Sequence, residues 1–327
     1  MTNYTSFSVD ASAKPNLKTW ADMDELIGPI EWAWKPWLPK GFLIILAGQS
    51  GAGKSALALR LAACFTNGLN WPDGSPFDDE LGCVLWCEAE ASQGLNLERA
   101  KKWGIDINKI YTPLDDPLQD INLDDEKHKE AIRKRASLSE VRFIVTDSLR
   151  ASNRQDENSS NVISVVQFLA SLSRDTKKPM ILTHHLRKKS LMDGDTIDLD
   201  RLRGSSAIVS TARVVWALDN PNTGQDKRLK VIKSNIGKYP EAIGVRIDEE
   251  GIRFCDAPQS VLILSEKERA AQFLISKLES GPIEASCIEE ESKLLGIKER
   301  TLNIAKKELG ITSRKMDGRY GKWYWIF

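Results

Sequence analysis

No apolar run in these 327 residues is long enough to cross a bilayer, and the first twenty lack the apolar core of a signal peptide. A cytoplasmic protein with no membrane attachment is expected. Cysteine is scarce: five in all, an odd number without CxxC spacing, which argues against both a disulfide framework and a thiolate metal site. Cys64, Cys83 and Cys87 fall inside apolar runs and read as reduced core residues. Three histidines, two of them adjacent, cannot build an imidazole metal centre. Net charge is missing as well, with 46 basic and 46 acidic side chains, so any surface for nucleic acid must be local. What remains is ordinary globular composition, 41% hydrophobic, with room for one sizeable α/β domain and a small second one.

The chain is organised around FLIILAGQSGAGKS at residues 42–55. An apolar strand ends in Gly48, Gln49, Ser50, Gly51, Ala52, Gly53, Lys54 and Ser55, which fits G-x-x-x-x-G-K-[ST], and an amphipathic helical run, SALALRLAACF, follows. Glycines let the backbone curl so that successive N–H groups face phosphate oxygens, and the helix adds its positive end. Lys54 would neutralise the outer phosphates and the Ser55 hydroxyl would ligate Mg²⁺. The chain is therefore expected to bind a nucleoside triphosphate.

Residues 1–27 read as a flexible leader, polar and aperiodic over the first twenty. From residue 21 to 41, Trp32, Trp34 and Trp37 interleaved with Pro29, Pro36 and Pro39 describe an extended segment laid over an apolar surface, either packed against the sheet edge or offering an aromatic contact to the nucleotide base or a neighbouring subunit. Further on, GCVLWCEAE carries Glu88 and Glu90 to a strand end, where open parallel sheets hold their ligands. One of these acids can polarise the attacking water, and alternation puts both on the same side, so spacing does not choose between them. VRFIVTDSL is an apolar strand ending in Asp147 and Ser148, with Asp147 placed to hold Mg²⁺ through water. Between Asn161 and Arg174, Val162, Val165, Val166, Leu169 and Leu172 recur at helical spacing as a core face. KPMILTHH then ends a strand in Thr183, His184 and His185, a place from which a polar group can contact the γ-phosphate. Arg187, Lys188 and Lys189 open a long loop that closes at RGSS, residues 203–206. Arg213 precedes the apolar run VVWAL, so it either pairs internally or reaches another chain's phosphates. RLKVIKSN and a hairpin turning at Glu249 to Gly251 complete the domain; Lys230 and Lys233 fall on opposite strand faces, so only one should meet a ligand.

This order of motifs resembles the RecA-like ATPases of the plasmid and phage RepA replicative-helicase group. The resemblance spans about residues 28–256 and rests on GQSGAGKS, Ala89-Glu90, Asp147-Ser148, His184-His185, RGSS and KSNIG at residues 233–237. It implies a RecA-like P-loop NTPase with a mainly parallel twisted sheet over residues 28–257, binding ATP and Mg²⁺. Glu90 would be the catalytic base, His185 or its neighbour His184 the γ-phosphate sensor, and Arg213 an arginine finger supplied in trans within a hexameric ring.

Residues 260–327 form a separate unit. SEKERAAQFLISKL reads as a helix with Ala270, Phe273, Leu274, Ile275 and Leu278 inward. A second helix spans Ser286 to Leu295, a third is IKERTLNIAKKEL, and a hairpin turns near Asp317 and Gly318. Three helices and a hairpin describe a winged helix. With the third helix in a major groove, Lys298, Arg300, Asn303, Lys306 and Lys307 become DNA contacts, and Arg314, Lys315, Arg319 and Lys322 lie on the wing. The expected function is a ring-forming DNA helicase of a mobile element, with DNA, further copies of itself and replication proteins as partners. The alternative is a non-motor ATP switch such as a helicase loader or replication initiator.

Overall fold

The computed structural model describes residues 18–153, 161–186, 197, 199–202, 206–221, 225–259, 265–316 and 321–327. The N-terminal part runs α1 (Trp20–Ile27), β1 (Trp32–Trp34), β2 (Leu38–Pro39), β3 (Leu43–Gly48), α2 (Lys54–Asn67), β4 (Cys83–Glu88) and α3 (Gln93–Lys102). It continues β5 (Ile110–Tyr111), α4 (Glu126–Ala136), β6 (Val141–Asp147), α5 (Asn161–Thr176), β7 (Met180–His185), α6 (Ser206–Thr211), β8 (Val214–Asp219), β9 (Lys227–Ser234), β10 (Ile243–Asp248) and β11 (Gly251–Asp256).

Among the described residues, nine strands form one sheet in the order β11-β10-β9-β8-β3-β7-β6-β4-β5. From β5 to β8 every pairing is parallel, and β9, β10 and β11 add an antiparallel flank. The strands β3, β4, β6, β7 and β8 are apolar on both faces because both are covered. One layer holds α2 with Ile44, Leu46, Val84, Phe143, Val145 and Ile181; the other holds Ile132, Val162, Val165, Val166, Leu169 and Ile208 against Ile45, Leu85, Ile144 and Leu182. Each leucine of α2 that is fully removed from water contributes about 2 kcal/mol. The periodic residues of α5 all turn inward, as their spacing predicts.

Two expectations for the N-terminal segment need correction. Residues 20–27 are the helix α1, started by a capping box in which Asp22 N–H donates to Thr19 Oγ1 and Thr19 N–H to an Asp22 carboxylate oxygen. The leader can therefore reach no further than residue 19, and residues 1–17 lie outside the described set. The tryptophans do not lie on a sheet edge either. Trp34 and Trp37 are buried, stacked 4.9 Å apart, and meet Trp216 of β8 edge-on at 6.0 and 5.6 Å, so they close the α2 layer over a central strand. Trp34 Nε1–H finds Asp73 at 2.9 Å, which satisfies its one donor.

The C-terminal unit runs α7 (Glu266–Leu278), β12 (Ile283–Glu284), α8 (Ala285–Leu294), α9 (Glu299–Glu308), β13 (Thr312–Lys315) and β14 (Trp323–Ile326). Its strands pair in the order β12-β14-β13 around a core of Phe273, Leu274, Leu278, Ile288, Leu302 and Trp325. A capping box of Ser265 and Glu268 starts α7. Ile275, expected inward, is 40% exposed, and Ala271 takes its place at the interface because it lies nearer the Leu274 and Leu278 meridian. The strand β12 has only two residues and carries no periodic signal. The hairpin tip at residues 317–320, with Arg319, lies outside the described residues.

Candidate active site

The end of β3, between β7 and β8, is where the phosphate loop leaves the sheet. Gly51 and Gly53 adopt φ of +72° and +92°, and Gly53 is the residue from which α2 starts. The φ of Gly53 is strained for any residue with a side chain, and a Cβ there would stand 2.3 Å from Ile247 Cδ1 of β10, which would have to turn away. Lys54 is buried and donates to the carbonyls of Gly48 at 3.2 Å and Gln49 at 3.1 Å. Burial holds its ammonium below the usual lysine range, against the attraction of Asp147 and Glu90.

Two carboxylates act on this lysine, Asp147 at the end of β6 and Glu90 just past β4, and the two strand ends are in register at Glu88 and Asp147. Asp147 Oδ1 accepts the Thr183 hydroxyl at 2.5 Å, and Ser55 bonds the same carboxylate. Asp147 Oδ2 is buried with no hydrogen-bond partner. Burial raises the Asp147 carboxyl above its ordinary range, the Ser55 and Thr183 hydrogen bonds oppose that, and Glu90 adds to it. An unsatisfied carboxylate oxygen beside a serine hydroxyl fits a hard divalent cation, so Ser55 and Asp147 suit the Mg²⁺ expected of them.

Glu90 lies just past β4, its side chain 35% exposed. Its Oε1 accepts from the Ser148 hydroxyl and faces His185 Nε2 at 3.4 Å. His185 Nδ1 in turn is 3.4 Å from Lys54 Nζ. His185 thus stands between the two, with one ring nitrogen toward Lys54 and the other toward Glu90. The hydrogen bond from His185 is the largest cause of a Glu90 carboxyl lowered to about 2; burial opposes it, and the Ser148 bond and the charges of His185 and Lys54 reinforce it. Glu88 behaves differently: it is buried, and desolvation raises its carboxyl above the usual range, with the charge of Asp147 adding to that.

The two neighbouring histidines separate here. Successive residues of β7 alternate, so Thr183 and His185 face the α2 layer and the phosphate loop, whereas His184, fully buried, faces the opposite layer. Only His185 of the pair is brought to the site. Arg213 is exposed and far from it, at the start of β8, while the loop leaves the end of β3. It lines a groove of about 780 Å³ with Lys40, Arg174 and Lys177, and its carbonyl accepts Asn235 N–H at 3.0 Å. Lys233 donates to the carbonyls of Val209 and Ala212, and Lys230 pairs with Asp219 at 3.5 Å, so both are committed within the chain. Arg187, Lys188, Lys189 and residues 203–205 lie outside the described residues.

In the C-terminal unit, Arg300, Asn303, Ile304 and Lys307 form one exposed stripe on α9, opposite buried Leu302 and Ala305. Lys298 is exposed and 3.8 Å from Glu266, and Arg314 and Lys315 are exposed on β13. Lys306 departs from the stripe: its Nζ donates to Ser313 Oγ at 2.6 Å and sits 3.9 Å from the Trp325 ring centroid. Lys322 pairs with Glu284 at 2.8 Å.

Sequence reasoning missed Thr183 as a partner of Asp147, Ser148 as a partner of Glu90, and Trp86 and Asn96 as partners of Glu88. The first two depend on which strands are neighbours. For Trp86, the i, i+2 spacing to Glu88 was a usable signal.

Comparison with known proteins fits this geometry. The AAA domain family matches residues 11–190, more than half of the chain. The chain belongs to that family. In this AAA domain the phosphate loop, Glu90, Asp147 and His185 all fall inside the matched residues, and nucleotide binding follows from the family and the loop together. Among solved structures the chain is similar to the KaiC-like protein PH0186 from the hyperthermophilic archaeon Pyrococcus horikoshii OT3, at 15% identity and a TM-score of 0.49, over 69% of this chain and 100% of that one. No curated protein matches the chain. No described helix is long and apolar enough to cross a membrane.

Proposed function

We propose that this AAA domain protein is a RecA-like ATPase that hydrolyses ATP in a ring of identical copies, hexameric by its resemblance to the RepA replicative-helicase group, and acts on DNA during replication. The observation that carries the reading is the position of Arg213. Between it and the phosphate loop of its own chain lies the length of a strand, about 16 Å at ~3.3 Å per residue, so an exposed arginine there serves catalysis only on another copy's nucleotide.

Within one copy, the loop amides and Lys54 bind and neutralise the phosphates, as the positive end of α2 favours. Ser55 and Asp147 would hold Mg²⁺, whose charge would stabilise the negative charge of the reacting phosphates. Glu90, ionised because His185 and Ser148 hold it so, takes the proton of the attacking water, while the new P–O bond replaces the bridging P–O bond to ADP. His185 lies between Lys54 and Glu90 and would register loss of the γ-phosphate. Arg213 of the neighbour would stabilise the charge that develops.

For the C-terminal unit, the order α7-β12-α8-α9-β13-β14 supports a winged helix with α9 as the DNA-reading helix. The same exposed α9 stripe favours the second reading, an ATP-controlled loader or initiator that marks a site on DNA without moving along it. A strand-displacement assay run beside a DNA-stimulated ATPase assay separates the two: ATP-driven displacement identifies the motor, and stimulated turnover without displacement identifies the switch. Lys54→Ala must abolish turnover in both assays, and retained turnover removes the basis of the reading.

A further inference from the structure

Glu88 is the acid of this cluster for which hydrolysis has no use. It is 5% exposed, and both of its carboxylate oxygens accept hydrogen bonds from this chain's own donors. Oε2 accepts Trp86 Nε1–H at 3.1 Å and Asn96 Nδ2–H at 2.9 Å. Oε1 accepts the backbone N–H of Glu90 at 2.9 Å. Keeping a carboxylate in such a place is costly, and raising it beside Asp147 makes it more so. A neutral isostere or an apolar residue would relieve that cost, so the group must return something to the site. What it returns is geometric. The strand ends at Glu88, Glu90 lies two residues beyond it, and the backbone amide of Glu90 has its hydrogen bond with the Glu88 carboxylate. Asn96, reached from α3, and Trp86, on the same strand face, fix that carboxylate from behind, so the placement of Glu90 is referred to the rigid strand and helix below it.

We infer that Glu88 is a positioning residue that orients Glu90 through the Glu90 backbone amide and is not itself a base. This rests on Glu90 being the base. A base displaced by about 1 Å loses on the order of 100-fold in rate. Binding of the nucleotide, which belongs to the loop and Lys54, is untouched.

The test measures ATP turnover and fluorescent ATP-analogue binding for the full chain and for Glu88→Ala, Glu88→Gln and Glu90→Gln. Glu90→Gln should be inactive. Glu88→Ala should lose about 10- to 100-fold in kcat with KM and analogue binding changed less than about threefold. Glu88→Gln should recover part of that loss, because its side-chain oxygen can still accept the Glu90 amide and Asn96 Oδ1, which has no partner in the structure, can turn to accept its NH₂. The split between kcat and KM, together with partial rescue by Glu88→Gln, is a signature that lost packing alone does not produce. Normal kcat in Glu88→Ala beside a dead Glu90→Gln overturns the positioning role and leaves Glu90 as base. An active Glu90→Gln beside a dead Glu88→Ala overturns both, making Glu88 the base. Should Glu88→Ala fail to fold, Asn96→Ala and Trp86→Phe, which each remove one donor from Oε2, take its place, and unchanged kcat in both overturns the proposal.

Discussion

Arg213 and Gly48 lie at opposite ends of two hydrogen-bonded strands. β3 and β8 run parallel with Ile44 paired to Val214 and Gly48 to Leu218, so the residue before Val214 and the loop after Gly48 face opposite edges of the sheet. An exposed guanidinium at that edge has no route to its own Lys54. Arg213→Ala should therefore leave nucleotide binding within about twofold of native while kcat falls by about 1,000-fold, the range of a lost arginine finger. Mixing Arg213→Ala with Glu90→Gln chains should restore activity, since a hybrid interface joins an intact Glu90 to an intact Arg213. Turnover that stays at background in every mixing ratio would count against action in trans.

Asp147 offers a test of the cation site that needs no turnover. Burial raises its carboxyl in the folded state above the unfolded value. For such a group the stabilising contribution is complete below the unfolded value near ~3.9 and is lost as pH rises through the raised folded value, so at neutral pH the ionised form destabilises the ligand-free fold. Asp147→Asn should raise the ligand-free Tm at pH 7.5 by a few degrees, by an amount that shrinks toward pH 4. It should also lose most of the further rise that Mg²⁺ and ATP give the native chain. An equal Mg²⁺-ATP shift in both proteins would remove Asp147 from the metal site.

The sequence made the phosphate loop, the strand ends at Glu88, Glu90 and Asp147, and most element boundaries legible, because each rests on local spacing. Gly53 and Lys54 are recognisable from eight contiguous residues, and the α5 face from a period of 3.6. What could not be read depends on pairing across the sheet. That Thr183 rather than His184 reaches Asp147, and that Trp37 meets Trp216, follows only once β7 is known to lie between β3 and β6 and β8 on the other side of β3. Ile275 was misplaced for a different reason: helical spacing gives a stripe, and its edge is set by what packs there.

His184 and His185 make a paired experiment on adjacent residues. His185 bridges Lys54 and Glu90, and His184 is buried against the far layer. His185→Ala should lower kcat by about 10- to 100-fold with Tm unchanged within a degree or two, because the side chain is partly exposed and its loss leaves no cavity in the core. His184→Ala should do the reverse, lowering Tm by about 4–8 °C through a core cavity while kcat at a permissive temperature stays near native. Steady-state kinetics and thermal unfolding on both proteins check this, and a kcat loss confined to His184→Ala would reverse the assignment.

Lys306 and Lys307 are neighbours in sequence with separate duties on α9. Lys306 is spent on its own domain: the ammonium sits over Trp325 and bonds Ser313, and burial lowers it from the usual lysine range. Lys307 completes the exposed stripe with Arg300 and Asn303. If that stripe lies against a duplex, Lys307→Ala should weaken binding of the full chain to DNA at every sequence tested and reduce the slope of log K against log salt by about 0.9, the share of one phosphate contact. Lys306→Ala should leave that slope unchanged and instead lower the stability of the C-terminal unit by about 1 kcal/mol, the worth of a cation over an indole ring. Salt titrations of DNA binding by fluorescence anisotropy, with hydrogen exchange of the α7, α8 and α9 backbone amides, read both effects. Equal salt slopes for the native chain and Lys307→Ala would take α9 off the phosphate backbone and leave its stripe to a protein partner.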